Sequence, residues 1–301
     1  MKMEELNMAI RFIVDSAADL PENMEEQFEL DIFPLYVHHG DESYKEDVEI
    51  SAKEVYDNMR RGERYKTSQV AVNDFVEKFE KYAQDDETVI YLGFSSELSG
   101  TYQSAVLAKN QVKEKFPNFD ITLIDTRTAC MGTGLVLYNL MKDYKKDNLD
   151  KEEVIKKAVY YSTHMEHIFT VDDLDYLVQG GRINKVAGFV GGILNIKPII
   201  EINNGKLEKL EKKKGKNKVM NRIIELMEER GSDLAEQTIA IAHADNREAA
   251  EKLKVKINEK IDYKDIVIGE VGAVIGSHTG PGTHGVFFIN KNKKINDVQI
   301  R

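Results

Sequence analysis

The chain has 301 residues, enough for two ordinary domains and a substantial core. Its 52 acidic against 42 basic side chains give a formal net charge of −10, which argues against general binding to nucleic acid, with a local exception at Lys206–Lys218. The single cysteine, Cys130, rules out an internal disulfide and suits a reducing cytoplasm. The charged N-terminal residues lack the apolar run of a signal peptide. No stretch approaches the roughly 18–20 apolar residues of a spanning helix. The expectation is a soluble, cytoplasmic protein with no stable membrane anchoring.

Ile10–Val14 reads as a first buried strand, followed by the polar turn Asp15-Ser-Ala-Ala-Asp-Leu-Pro21. Asp15 and Ser16 lie at the strand's C-terminal end, where open α/β sheets place ligands, although capping of the next helix is the simpler role for Asp15. Ile32–Val37 is expected as a second strand, with Pro34 marking an edge or bulge. Ser51-Ala-Lys-Glu54 matches a capping box, and Gly62 is placed to end the helix. Lys66-Thr-Ser-Gln69 is a polar loop, and the helix after Asn73 carries Phe75, Phe79 and Tyr82 on one face. Thr88–Phe94 is a β-branched and aromatic strand ending in a hydroxyl-rich turn. A helix begins around Ser99 and Gly100, where free N–H groups and Ser99 and Thr101 hydroxyls can meet an anion. Capping that helix is the equally weighted alternative for Ser99. Asp120–Asp125 is another strand, with an apolar helix from about Gly132.

Strands alternating with helices over residues 10–160 predict a parallel sheet. The second half mixes hairpins and helices. His167–Val171, Ile196–Ile202, Leu207–Leu210, Thr238–Ala242, Ile266–Gly269, Val271–Ile275 and Val286–Ile289 read as strands, with helices at Asp172–Val178 and Arg247–Ile257. Asn203-Asn-Gly205 is a strong hairpin signal. Val186–Leu194 is apolar and glycine-rich, open to close approach by a backbone or a slim ligand. The fold class is therefore α/β. An N-terminal domain, 1–160, has a mainly parallel sheet flanked by helices. A C-terminal α+β domain, 161–301, has a largely antiparallel sheet.

Three polar loops concentrate the candidate chemistry: Lys66–Gln69, Ser95–Tyr102 and the glycine-rich Gly276–Gly285 with His278 and His284. Metal binding fits poorly, because His38 and His39 point opposite ways on a strand and no Cys or acidic cluster completes a set. A serine hydrolase could combine Ser99, His278 and Asp15 or Asp125, but no Gly-x-Ser-x-Gly elbow is present. No nucleotide-binding glycine motif appears either.

Taken together, Asp15-Ser-x-x-Asp-Leu-Pro, Thr67-Ser-Gln, Ser95-Ser-x-Leu-Ser-Gly-Thr-Tyr, Gly180-Gly-Arg-Ile, Lys197-Pro-Ile and Ile275-Gly-Ser-His-Thr-Gly-Pro-Gly resemble the DegV family. The resemblance runs from about Ile10 to Ile289. It implies two domains with one long-chain fatty acid between them, its carboxylate meeting Thr67, Ser99 and His278, with Ser68, Gly100 and Thr101 beside them. It also implies no other cofactor. A separate fatty acid kinase subunit would phosphorylate the bound acid, making this protein a carrier linked to phospholipid synthesis and not the catalyst. Two positions depart from the family pattern. Val70 replaces the usual proline, and Lys214 stands where an arginine linked to kinase docking is expected, without its bidentate fork. The run Lys212–Lys216 also reads as a solvated hairpin face. A serine hydrolase of acyl esters and a dihydroxyacetone-kinase-like enzyme are the alternatives.

Overall fold

Three sheets organise the described residues, and the patterning of each strand accounts for its place. The computed structural model describes residues 10–21, 24, 28, 30–183, 196–291 and 298–301. The first sheet contains β1 (Ile10–Asp15), β2 (Asp31–Phe33), β6 (Thr88–Gly93), β7 (Ile121–Asp125) and β14 (Gln299–Ile300), in the order β14-β7-β6-β1-β2. Only β14 runs antiparallel to its neighbour. Every residue of β6 and β7 is buried, as expected for parallel strands covered on both faces.

The second sheet joins β8 (Met165–Thr170), β9 (Ile196–Asn203), β10 (Lys206–Lys214), β11 (Thr238–His243), β12 (Asp265–Glu270) and β13 (His284–Ile289), in the order β10-β9-β8-β13-β11-β12. All its pairings are antiparallel except β11 with β12. The turn between β9 and β10 has Asn204 at φ 48° and Gly205 at φ 82°, the pair of positive angles that tight hairpins require. Helix α4 (Met131–Asp147) touches β6 on one side and β8, β11 and β13 on the other. It lies between the two sheets, so its first seven residues are all buried. A separate core behind the second sheet packs Ile223 and Met227 of α7 (Lys216–Arg230) and Leu253 of α8 (Arg247–Asn258) against Ile239 and Phe288.

The third sheet is small, in the order β4 (Glu42–Lys45), β3 (Tyr36–His39) and β5 (Lys66–Ser68). Helix α1 (Ala52–Arg60) accompanies it, with Ser51 accepting the Glu54 N–H and Gly62 at φ 96° behind the last turn. Helices α2 (Val72–Gln84) and α3 (Thr101–Lys115) pack together beside the first sheet. Helix α5 (Lys151–His164) leads into β8, and α6 (Asp175–Gln179) follows it.

Several sequence expectations need correction. The strand expected at Ile32–Val37 is two strands in different sheets, because Pro34 has no N–H to donate and the Leu35 N–H turns to Ser16 Oγ at 3.0 Å. Lys66–Ser68 is an edge strand and not a loop, since its backbone pairs with β3. Val271–Ile275 is not a strand. Ala273–Thr279 forms a helix, α9, because buried carboxylates take the N–H groups that open it: Gly272 donates to Asp19 Oδ1 at 2.9 Å and Val274 to Glu46 Oε1 at 2.6 Å. Helix α7, not among the expected elements, follows the lysine run and carries Val219, Ile223 and Met227 at helical spacing on its buried face. The domain boundary expected near residue 160, give or take several residues, is not among these corrections; α5 spans that position, and β14 pairs with β7 in the first sheet. The glycine-rich segment 186–194 lies outside the described residues.

Candidate functional site

The C-terminal ends of β1, β6 and β7 lie at one edge of the parallel sheet, and Asp15 fastens two of them. Its Oδ2 accepts the Tyr91 hydroxyl at 2.7 Å and the Phe94 N–H at 3.0 Å, anchoring the start of the Ser95–Ser99 turn. Capping is therefore not its role, and no side-chain cap bond is present at the turn that follows β1. Full burial pushes the Asp15 carboxyl up to about 6, although both hydrogen bonds favour the ionised form.

Gln69 joins the first polar segment, Lys66–Gln69, to the helix that follows the second, Ser95–Tyr102. Its Nε2 donates to Ser104 Oγ at 2.7 Å by crossing directly over Gly100, where a Cβ would lie 1.9 Å from the Gln69 oxygen. Only glycine leaves that path open. The Val70 N–H also meets Thr101 Oγ1 at 3.4 Å, and these links tie the segment that carries Thr67 to the helix start that carries Ser99. Ser99 Oγ accepts the Thr101 N–H at 3.2 Å and lies 3.0 Å from Thr101 Oγ1. It caps locally and still faces the cleft described below.

His278 arrives on α9. Its Nε2 lies 2.6 Å from Thr67 Oγ1, joining segments 211 residues apart. Its Nδ1 edge rests on Gly180, where a Cβ would lie 2.2 Å away, so the Gly-Gly-Arg segment is shaped to seat this ring. Burial, with the Arg182 guanidinium nearby, pushes the His278 pKa down to about 4. Near pH 7 the ring is neutral, with one donor and one acceptor nitrogen. Arg182 itself is half-buried, donating from Nε to Leu98 O at 3.2 Å and from Nη1 to Gly180 O at 2.6 Å.

These groups form one end of a cleft that is partly open to solvent. Thr67, Ser68, Gln69, Ser99, Arg182 and His278 make the polar end. Leu35, Phe94, Phe169, Ile202, Leu207 and Phe287 are among the side chains that line the apolar remainder. Such a cleft suits an amphiphile with an anionic head. Of the predicted residues, Thr67, Ser68, Ser99 and His278 face the cleft. Ser68 Oγ also pairs with His38 Nε2 at 2.8 Å, Gly100 carries the Gln69 crossing, and Thr101 is buried behind Ser99. Arg182 was assigned no role from sequence. Its signal was the Gly180-Gly-Arg-Ile motif, whose meaning depends on His278 folding against it.

The hydrogen bond of His278 Nε2 goes to Thr67 and not to Ser99. Asp15 is committed to Tyr91 and Phe94, while Asp125 pairs with Arg127 and accepts the Ser96 N–H. Among the described residues, neither aspartate backs His278 as a hydrolase would need. No group of three or more His, Cys, Asp or Glu among them could hold a metal ion, and no described helix is long and apolar enough to cross a membrane.

A neutral histidine adds stability above its unfolded pKa of roughly 6.5, lost as the pH falls toward the folded value of about 4. The stability of the parent relative to His278→Gln is expected to fall by about 2–3 kcal/mol between about pH 7 and about pH 4.5. Urea unfolding of both proteins at the two pH values measures it.

The family described as "Uncharacterised protein, DegV family" matches residues 9–291. A DegV domain-containing protein of Clostridium perfringens is 40% identical over 289 residues, covering 94% of this chain and 99% of that protein. The structure of a DegV family protein of Thermus thermophilus, described for its fatty acid binding, superposes with a TM-score of 0.85 at 28% identity, covering 94% and 100% of the two chains. DegV of Bacillus subtilis, described as a fatty acid binding protein, gives 0.82 at 30% identity, with coverage of 94% and 100%. With the loops, the sheets and nearly the full length in agreement, the chain belongs to the DegV family.

Proposed function

We propose that this protein binds one long-chain fatty acid, with the carboxylate at Thr67, Ser99, His278 and Arg182 and the tail along the apolar wall. The observation that carries this reading is the union of a polar end and an apolar lining in one cleft, in a chain whose structural relatives are described as fatty acid binding. An ionised carboxylate buried without partners is very unfavourable, and two hydroxyls, an imidazole and a guanidinium supply donors and charge. Each methylene buried along the cleft contributes about 0.8 kcal/mol. The tail therefore dominates affinity, and the polar end sets orientation.

The protein acts as a carrier, presenting the acid to a separate acyl kinase in the cytoplasm. In support, the polar end adjoins a more open polar pocket that shares Leu98, Ser99 and Arg182 with it and adds Ser96, Gln103 and Arg301. A bound carboxylate there is within reach of a phosphoryl donor from outside.

A ligand with a long buried tail leaves slowly, so the purified protein is expected to retain host lipid. Native mass spectrometry should show an excess of a few hundred daltons, and extraction under denaturing conditions identifies the chain. A mass matching the bare polypeptide, with no uptake of added fatty acids of common lengths, overturns the proposal.

A further inference from the structure

The Asp15-Ser-Ala-Ala-Asp motif does not line the cleft, yet its side chains reach toward the groups that do. Ser16 Oγ donates to Glu46 Oε2 and accepts the Leu35 N–H. Glu46 Oε1 accepts the Val274 N–H, and Asp19 Oδ1 accepts the Gly272 N–H. Both acids are buried, and a Cβ on Gly272 would lie 2.7 Å from either oxygen, so they close directly onto the backbone. Both bonds fall at the start of α9, which has seven residues and no side-chain cap from its own N-cap residue. A helix that short is not stable alone, and its placement comes from what grips it.

We propose that Glu46 and Asp19 are positioning residues for the head-group site: from the N-terminal half they hold the start of α9 and so set His278 against Thr67. Val274 and His278 are one helical turn apart, about 6 Å along the axis, so a displacement at the grip reaches the imidazole through one rigid turn. Tyr56 supports the same point, donating its hydroxyl to Val271 O at 2.6 Å. The opening motif thus sets two parts of the site at once, the Ser99 turn through Asp15 and the His278 helix through Ser16, Glu46 and Asp19. This assignment rests on the fatty-acid reading for its ligand, but not for its geometry.

The test is a double-mutant cycle on the full chain, with binding of a fluorescent long-chain fatty acid as the readout. Glu46→Ala is expected to weaken binding by roughly tenfold in the parent and by less than about twofold in a His278→Ala background. Glu46→Gln, which keeps an oxygen for the Val274 N–H, should recover most of the loss. Equal losses in both backgrounds, or none in folded Glu46→Ala, overturn the proposal. If Glu46→Ala does not fold, Ser16→Ala, which removes only the hydroxyl behind Glu46, takes its place in the cycle. A ligand-free arm follows the His278 ring by nitrogen NMR, where Glu46→Ala should move its signals toward those of an exposed histidine. Unmoved ring signals overturn the positioning role, whereas failure of the parent to bind any fatty acid overturns only the reading of the ligand.

Discussion

Arg182→Met is expected to weaken fatty-acid binding by roughly thirtyfold to several thousandfold, the equivalent of about 2–5 kcal/mol. Methionine keeps much of the side chain's length and apolar stem, so the change isolates the loss of the guanidinium. Two of its N–H groups are engaged with Leu98 O and Gly180 O, which holds the cation in place before a ligand arrives. A carboxylate at the polar end would lose a cationic partner in a setting poorly screened by water. A second readout needs no ligand. Arg182 is one cause of the low His278 pKa, so the substitution should raise that pKa, as read by NMR titration. Affinity within twofold of the parent would remove Arg182 from the head-group site.

Asp15→Ala is expected to destabilise the protein by several kcal/mol, because it leaves the Tyr91 hydroxyl and the Phe94 N–H without their acceptor inside the core. Each orphaned donor costs about 1–3 kcal/mol. Working against this, the buried carboxyl titrates at about 6, well above its ordinary value, so its ionised form is itself costly near neutral pH. A carboxyl with a raised folded pKa contributes most stability below its unfolded pKa and loses that contribution as the pH rises through the folded value. The deficit of the variant should therefore be larger by about 2 kcal/mol near pH 4.5 than near pH 7.5. A deficit that does not change with pH would show that Asp15 is ionised throughout, held by its two hydrogen bonds.

Local pattern made the parallel unit legible. Thr88–Gly93 is β-branched and aromatic and is buried along its whole length because both faces are covered, and helices alternate with it at βα spacing. The β9–β10 hairpin was equally plain, since Asn204 and Gly205 are residue types that tolerate the positive φ such turns need. The three polar loops were visible because hydroxyls, histidines and glycines stand out between apolar runs. The resemblance carried by their order supplied the family and, with it, the expectation of a fatty acid.

Other features followed only from contacts made at a distance. A window of a few residues shows Pro34 as a bulge, but not that the strand continues in another sheet. Val271–Ile275 is rich in β-branched residues and reads as a strand, whereas Asp19 and Glu46, more than 200 residues earlier, turn its second half into a helix. The role of Asp15 depended on the position of Tyr91 in the neighbouring strand, and that of Arg182 on the His278 ring settling over Gly180. The sequence by itself determined which residues carry polar or apolar chemistry and where strands and turns are favoured, because those preferences act over a few residues. The tertiary structure alone decided which of those groups face one another, because Thr67 and His278 meet across 211 residues and no local preference encodes that distance.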